Sequence, residues 1–327
     1  MMSIKSIEEL QGLFKEQLST HSFPSLPKAL YEPMSYIMSI GGKRIRPVLV
    51  LAAYNLYQEE VTAAFEAGLA IEVFHNFTLL HDDIMDAADI RRGKPTVHIK
   101  YDENKAILTG DVMMIYAYRL LEKYSDQYYP LCLTFNKTAQ EVCEGQSMDM
   151  EFETTDEVNI MDYLKMIELK TSVLIAAALK IGGILGGASL DDLHHLYEFG
   201  RNLGIAFQVQ DDLLDTFGTE AQLGKKIGGD IEQKKKTYLY LKALQLLDET
   251  QTKRLKSIYL DSDLAMNADL IAEVKDLLAK SYVKVHAEEL KLVYQQLAMS
   301  HLDALSVDAE KKIPLRELAE SLLNRSV

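Results

Sequence analysis

Residues 63–86 read AAFEAGLAIEVFHNFTLLHDDIMD, and residues 193–215 read LHHLYEFGRNLGIAFQVQDDLLD. Each stretch is apolar on most of its helical faces and then closes on the same acidic pattern, two adjacent aspartates and a third four residues after the first. A helix that is apolar nearly all round lies inside a bundle rather than on its rim. Outward from these two stretches, helical periodicity recurs near residues 6–20, 27–40, 45–58, 60–86, 102–124, 129–150, 160–185 and 189–217, then in several shorter segments from 235 onward. The chain has 7 prolines and none lies between Pro130 and Pro314, so more than half of it holds no obligatory helix breaker. No run alternates apolar and polar residues long enough to make a convincing strand. No linker rich in Pro, Gly or Ser divides the sequence, and the expectation is one all-α domain over residues 1–327.

Composition agrees with a globular protein, at 48% hydrophobic and 26% charged residues. The 35 Lys+Arg against 49 Asp+Glu leave a net charge of −14, which argues against a nucleic-acid or anionic-membrane surface. The longest apolar stretch, Leu174 to Leu190, is interrupted by Lys180 and too short to span a bilayer comfortably, so no transmembrane segment is expected. Its glycine pairs, Gly182–Gly183 and Gly186–Gly187, permit either a close helix approach or a helix end before Ser189. Cys132 and Cys143 form no CxxC pattern and are expected to be buried packing residues, as in a reducing compartment. The first twenty residues mix charge with apolar positions and lack an apolar signal core, so a cytoplasmic location is expected.

The acidic patterns carry the chemistry. On a helix, Asp82 shares a face with Asp86, and Asp211 with Asp215. Like charges at that spacing repel by about 0.2–0.5 kcal/mol, and burying them costs far more. Hard divalent cations reverse the sign, because Mg2+ takes one or two carboxylates together with phosphate oxygens. A single DDxxD reads as a solvated helix end; two copies, each ending an apolar helix, do not. A polyphosphate ligand also requires cations, and they stand beside the acids. Residues 87–95 read AADIRRGKP, residues 216–237 read TFGTEAQLGKKIGGDIEQKKKT, and residues 41–47 read GGKRIRP. Arginine suits forked recognition of phosphate, and lysine point-charge recognition.

GGKRIRP, LLHDDIMD with IRRGKPTVH, LKTS, FQVQDDLLD and LGKKIGGD, in that order and at these separations, resemble the trans-isoprenyl diphosphate synthases, or polyprenyl synthetases. The likeness runs from about residue 27 to the last helices. It implies an isoprenoid-synthase helical bundle around a deep central cavity, acting as a homodimer. It also implies that Asp82 and Asp86 bind a Mg2+ pair, and that Asp211, with Asp215 nearby, binds a further Mg2+. Arg91, Lys170, Lys225 and Lys235 would hold an allylic diphosphate; Lys43, Arg46, His75 and Arg92 would hold isopentenyl diphosphate. Thr171 and Gln208 match positions whose oxygens face the developing cation. Lys225 is preferred to Lys226 because it directly follows Gly224, and Lys234 to Lys236 offer three lysines where the family pattern has one.

The implied reaction is a head-to-tail condensation giving an all-trans prenyl diphosphate and pyrophosphate. The resemblance also implies that bulky residues on the helix before the first motif limit product length; here these are Phe77 and Phe74, five and eight residues before Asp82, or about 7.5 and 12 Å along a helix axis. With the small Thr78 at four back, they favour a C20 product, with C15 next. Longer-chain synthesis and a class I terpene cyclase are the alternatives, although the second motif keeps its aspartates and GGKRIRP is present. A ferritin-like di-metal bundle would use Glu72 and His75 as an ExxH, yet no second ExxH occurs.

Overall fold

The computed structural model describes residues 4–219, 227–261 and 263–323. Helices run in order as α1 (Ile7–Thr20), α2 (Lys28–Ser39), α3 (Ile45–Asn55), α4 (Phe65–Met85), α5 (Val97–Lys100), α6 (Glu103–Leu121) and α7 (Tyr128–Thr154). They continue as α8 (Ile160–Ile167), α9 (Val173–Gly186), α10 (Leu190–Phe217), α11 (Gly229–Glu232), α12 (Tyr238–Leu246), α13 (Glu249–Leu260), α14 (Ala268–Lys280), α15 (Val283–Ala304) and α16 (Ala309–Leu323). A π-helical turn, Glu168–Ser172, joins α8 to α9. The all-α expectation holds, with two differences. At 22 residues α15 is not one of several short helices, because its sequence contains neither Gly nor Pro to stop it. A small hairpin, β1 (Ile90–Arg91) paired antiparallel with β2 (Lys94–Pro95), stands where no strand was expected. Arg92 and Gly93, at φ 52° and 74°, supply the two left-handed central residues that a tight two-residue turn requires.

The chain groups into two compact units. The first comprises Met1–Asn136, Ala177–Leu196 and Ser306–Leu315. Val48 to Ala53 on α3 and Ala67 to Phe74 on α4 are buried without interruption, as expected of interior helices. The two glycine pairs divide the alternatives between them. A Cβ on Gly182 would lie 2.2 Å from the Val50 carbonyl, so α9 packs backbone to backbone on α3. Gly187, at φ +83°, ends that helix in the left-handed conformation.

The second unit comprises Lys137–Ala176, Tyr197–Leu305 and Arg316–Val327. Its core gathers Tyr163, Met166, Ile205, Val209 and Leu213 with Leu239, Ile258, Val274 and Val283. Tyr240 and Tyr259 stack within it, ring centroids 4.1 Å apart. The π-helical turn is flanked by glycines from two other helices. A Cβ on Gly145 of α7 would lie 2.3 Å from Lys170 N, and one on Gly204 of α10 would lie 2.6 Å from Ser172 Cα. Neither helix can carry a side chain there.

The 160–186 segment is long and apolar enough to cross a membrane by length and composition, but 72% of its most apolar window is buried. The cysteine expectation is corrected: Cys132 is half-buried and Cys143 exposed. Cys143 and Glu144 form an outward-facing pair on α7, whose inward positions here are Val142, Gly145 and Gln146.

Candidate active site

In the first unit, Asp82 is half-buried on the last turn of α4, and Asp86 is exposed at its cap, its N–H donating to the Asp82 carbonyl at 2.8 Å. Asp83 faces inward and is 2% exposed. Arg91 Nε donates to its two oxygens at 2.8 and 2.9 Å. Burial pushes the Asp83 carboxyl up from its ordinary value, while the hydrogen bonds and charge of Arg91 pull against that shift. The motif therefore divides, with Asp82 and Asp86 on one face and the middle acid held by the hairpin's arginine.

The glycine-led basic segment opens α3. Gly41 and Gly42 have φ of 95° and 128°, and Arg44 sits left-handed at φ 51° before the helix begins. Arg44 pairs with Glu72, a buried acid one turn before Asn76, whose Nδ2 donates to it at 2.7 Å. Arg46 Nη1 lies 3.2 Å from His75 Nε2. Arg92 donates to the Gly41 carbonyl and fills the space that a side chain on Gly42 would need. Lys43 is exposed. Burial lowers Arg46 to about 10, with Glu72 raising it and Arg92 lowering it further. His75 is pushed well below its ordinary value by burial first, then by Arg46 and Arg92. Arg44 was expected only as one cation of the basic segment GGKRIRP and had no role of its own, although a buried Glu72 on an apolar helix demands a cationic partner.

In the second unit, a cavity of about 120 Å³ is walled by residues of the LKTS and FQVQDDLLD motifs. The π-helical turn presents Lys170 and Thr171 to it. Lys170 Nζ is 2.5 Å from Asp149 Oδ2. Thr171 Oγ1 donates to Gln208 Oε1 at 3.4 Å, Gln208 Nε2 donates to Asp212 Oδ1 at 3.0 Å, and Tyr163 donates to Asp212 Oδ2 at 2.5 Å. Burial and then Asp230 push Asp212 well above the usual carboxylate range, against the hydrogen bonds from Tyr163 and Gln208. Asp211 is half-buried on α10. Asp215 is 1% exposed, and its oxygens accept the N–H groups of Gly229 at 3.3 Å and Asp230 at 3.0 Å, which anchors the start of α11.

The three adjacent lysines separate by partner. Lys234 Nζ donates to the carbonyls of Asp261 and Leu264, at 2.5 and 2.8 Å. Lys236 Nζ donates to those of Phe152 and Thr155, at 2.6 and 2.5 Å. Lys234 and Lys236 thus satisfy backbone groups, and all three lysines line the cavity. Lys225 and Lys226 lie outside the described residues. Asp149, Tyr163 and Asp230 were not singled out in the sequence. Tyr163 had a signal, two helical turns before Lys170, whereas nothing local marks Asp149.

Phe77 and Phe74 lie on α4, 8% and 0% exposed, with ring centroids 5.5 Å apart. Phe135 stacks edge-on to Phe74 at 5.1 Å and Tyr118 to Phe135 at 4.8 Å, extending an aromatic column within the first unit.

The family model described as polyprenyl synthetase matches residues 27–277. A geranylgeranyl diphosphate synthase of Methanosarcina mazei is 38% identical over 308 residues, covering 91% of this chain and 90% of its own. One from Sulfolobus acidocaldarius is 37% identical over 330 residues, covering 97% of each. A crystal structure of a geranylgeranyl pyrophosphate synthase superposes with a TM-score of 0.92 at 43% identity, over 99% of this chain and 100% of that one. Five motifs in register, the all-helical architecture and matches that span nearly the whole length lead to one assignment: the chain belongs to the polyprenyl synthetase family of prenyltransferases.

Proposed function

We propose that the chain performs a Mg2+-dependent head-to-tail condensation of isopentenyl diphosphate with an allylic diphosphate, releasing pyrophosphate and giving the C20 product geranylgeranyl diphosphate. The observation that carries this reading is the cavity of the second unit, where Lys170 and Lys235 share a wall with Thr171, Gln208 and Asp212 of the second aspartate motif. The names of the relatives from Methanosarcina mazei and Sulfolobus acidocaldarius support C20, with C15 farnesyl diphosphate the next choice.

The donor set fits a hard cation. Asp82 and Asp86 share a helix face from which Asp83 is turned away, and Asp211 stands half-buried on α10. Asp215 already accepts from two backbone N–H groups, which leaves fewer of its lone pairs for a cation. Mg2+ bound by these acids would neutralise the departing pyrophosphate and favour ionisation of the allylic carbon–oxygen bond. In the first unit, Arg91 is assigned to the allylic diphosphate, and Lys43, Arg46, His75 and Arg92 to isopentenyl diphosphate. In the second, Lys170, Lys225 and Lys235 are assigned to the allylic diphosphate, and the oxygens of Thr171 and Gln208 to the developing cation. The double bond of isopentenyl diphosphate attacks that carbon, a carbon–carbon bond forms, and a proton passes to an oxygen of the released pyrophosphate.

The same reading has residues 1–327 acting as one domain, supported by a family match that begins in the first unit and ends in the second. It has the protein working as a homodimer, supported by the apolar side chains of Ile107, Leu108 and Ile115 that α6 leaves exposed. It places the enzyme in the cytoplasm, supported by two cysteines without a disulfide.

The test is incubation of purified protein with isopentenyl diphosphate and dimethylallyl, geranyl or farnesyl diphosphate, with product mass and pyrophosphate measured with and without Mg2+. Mg2+-dependent pyrophosphate release with a C20 product is expected. Asp82→Ala and Asp211→Ala should each lower turnover by orders of magnitude with the fold intact. Absence of condensation in the wild type overturns the reaction; wild-type rates in either variant overturn the metal assignment.

A further inference from the structure

One hydrogen-bonded line in the second unit reaches beyond the residues assigned to the reaction. Tyr163, 1% exposed, donates its hydroxyl to Asp212 Oδ2, and Gln208, one turn before Asp212, donates Nε2 to Asp212 Oδ1. Thr171 donates to the other end of the same amide, Gln208 Oε1. All four residues line one cavity. A carboxamide has a donor end and an acceptor end, and its partners alone decide which way each points. Asp212 accepts at both oxygens, from Gln208 Nε2 at 3.0 Å and from Tyr163 at 2.5 Å, so it holds the NH2 end. With its other oxygen engaged by buried Tyr163, Asp212 is fixed in that orientation. Gln208 Oε1 is left toward Thr171 and the cavity.

We propose that Tyr163 and Asp212 are positioning residues that hold the Gln208 amide with its carbonyl oxygen toward the cavity. An acceptor dipole preset there stabilises a developing allylic cation, whereas the reversed amide would oppose it. The proposal rests on the condensation reading and on the role assigned to Gln208, and it adds that the amide's direction is set by two neighbouring side chains.

Exchanging acid and amide tests it. Asp212→Asn keeps the volume but offers one acceptor oxygen where Asp212 offers two: while that oxygen accepts from Tyr163, the new NH2 faces Gln208, whose amide then turns to accept. We expect kcat to fall about tenfold to a hundredfold, with KM for both diphosphates within about twofold, the size of a hydrogen bond to a charged group lost only in the transition state. In the double variant Asp212→Asn/Gln208→Glu, the new carboxylate accepts from the new amide and from Thr171 and again turns an oxygen to the cavity. Its kcat should return to within about threefold of wild type, while Gln208→Glu alone, with two carboxylates abutting, stays impaired. Tyr163→Phe should lower kcat about tenfold at unchanged KM. Wild-type kcat in Asp212→Asn, or a double variant no better than the single one, overturns the proposal. An inactive wild type overturns the reaction reading instead, and the inference with it.

Discussion

Arg91 closes over Asp83 with its Nε 2.8 Å from one carboxylate oxygen and 2.9 Å from the other, so the middle acid of the first motif answers a cation from its own chain. Asp83 is nearly inaccessible, whereas the Arg91 side chain is 27% exposed. Loss of the acid therefore strands a cation that can still reach some water. Asp83→Ala should destabilise the protein by about 3 kcal/mol, the lower end of the range for breaking a buried pair. Urea unfolding measures this. An unchanged midpoint would show that the pair contributes no net stability, and Arg91→Ala should show a comparable loss.

The lysine run makes a prediction that its sequence alone could not. Lys236→Met keeps the buried stem but leaves the carbonyls of Phe152 and Thr155 without their donor, at a cost of about 1–3 kcal/mol, and should leave the allylic KM unaltered. Lys235→Met should raise the allylic KM about tenfold. The pattern is read from thermal melts and initial rates. The opposite assignment follows if Lys236→Met shifts the allylic KM and Lys235→Met does not.

His75 gives the acid limb of stability a sign. Its folded-state pKa lies well below 6.5, through burial and then the charges of Arg46 and Arg92, so it is neutral in the folded protein at neutral pH. The unfolded chain binds that proton near pH 6.5, and stability rises with pH wherever the unfolded state holds more protons. The contribution is whole above about pH 6.5 and is lost as the pH falls below it. His75→Gln should flatten the fall of Tm between about pH 7 and 5, leaving the part due to His21, which burial also lowers. The same slope in variant and wild type would mean that His75 is charged in the folded state.

The aspartate motifs and the buried helices that carry them were legible because their spacing is local: three acids within one turn, apolar residues at helical period, glycines beside the basic runs. The hairpin was not legible, since Ile90–Arg91 and Lys94–Pro95 are too short to alternate, and the turn closes only with Arg92 and Gly93 both in the left-handed region. The π-helical turn depends on Gly145 and Gly204, whose missing side chains admit it from other helices. Tyr163 is joined to Asp212 across 49 residues, a pairing no window of sequence reveals. The lysine run could not be sorted from sequence because the carbonyls that claim Lys234 and Lys236 come from distant segments.

The aromatic column bears on product length. A growing tail that descends along α4 from Asp82 meets Phe77 first and Phe74 one turn lower, and Phe74 is already backed by Phe135 at 5.1 Å. Phe77→Ala should therefore lengthen the product, and Phe77→Ala/Phe74→Ala should lengthen it further, as mass spectrometry of the diphosphates will read. Phe135→Ala with both phenylalanines in place should leave the product unchanged, because Phe135 stands behind Phe74 rather than above it. Each truncation removes a buried ring at a cost of about 3–5 kcal/mol, so a melt must accompany every product assay. A double variant that stays folded and makes the wild-type product distribution would falsify the floor and return both rings to ordinary core.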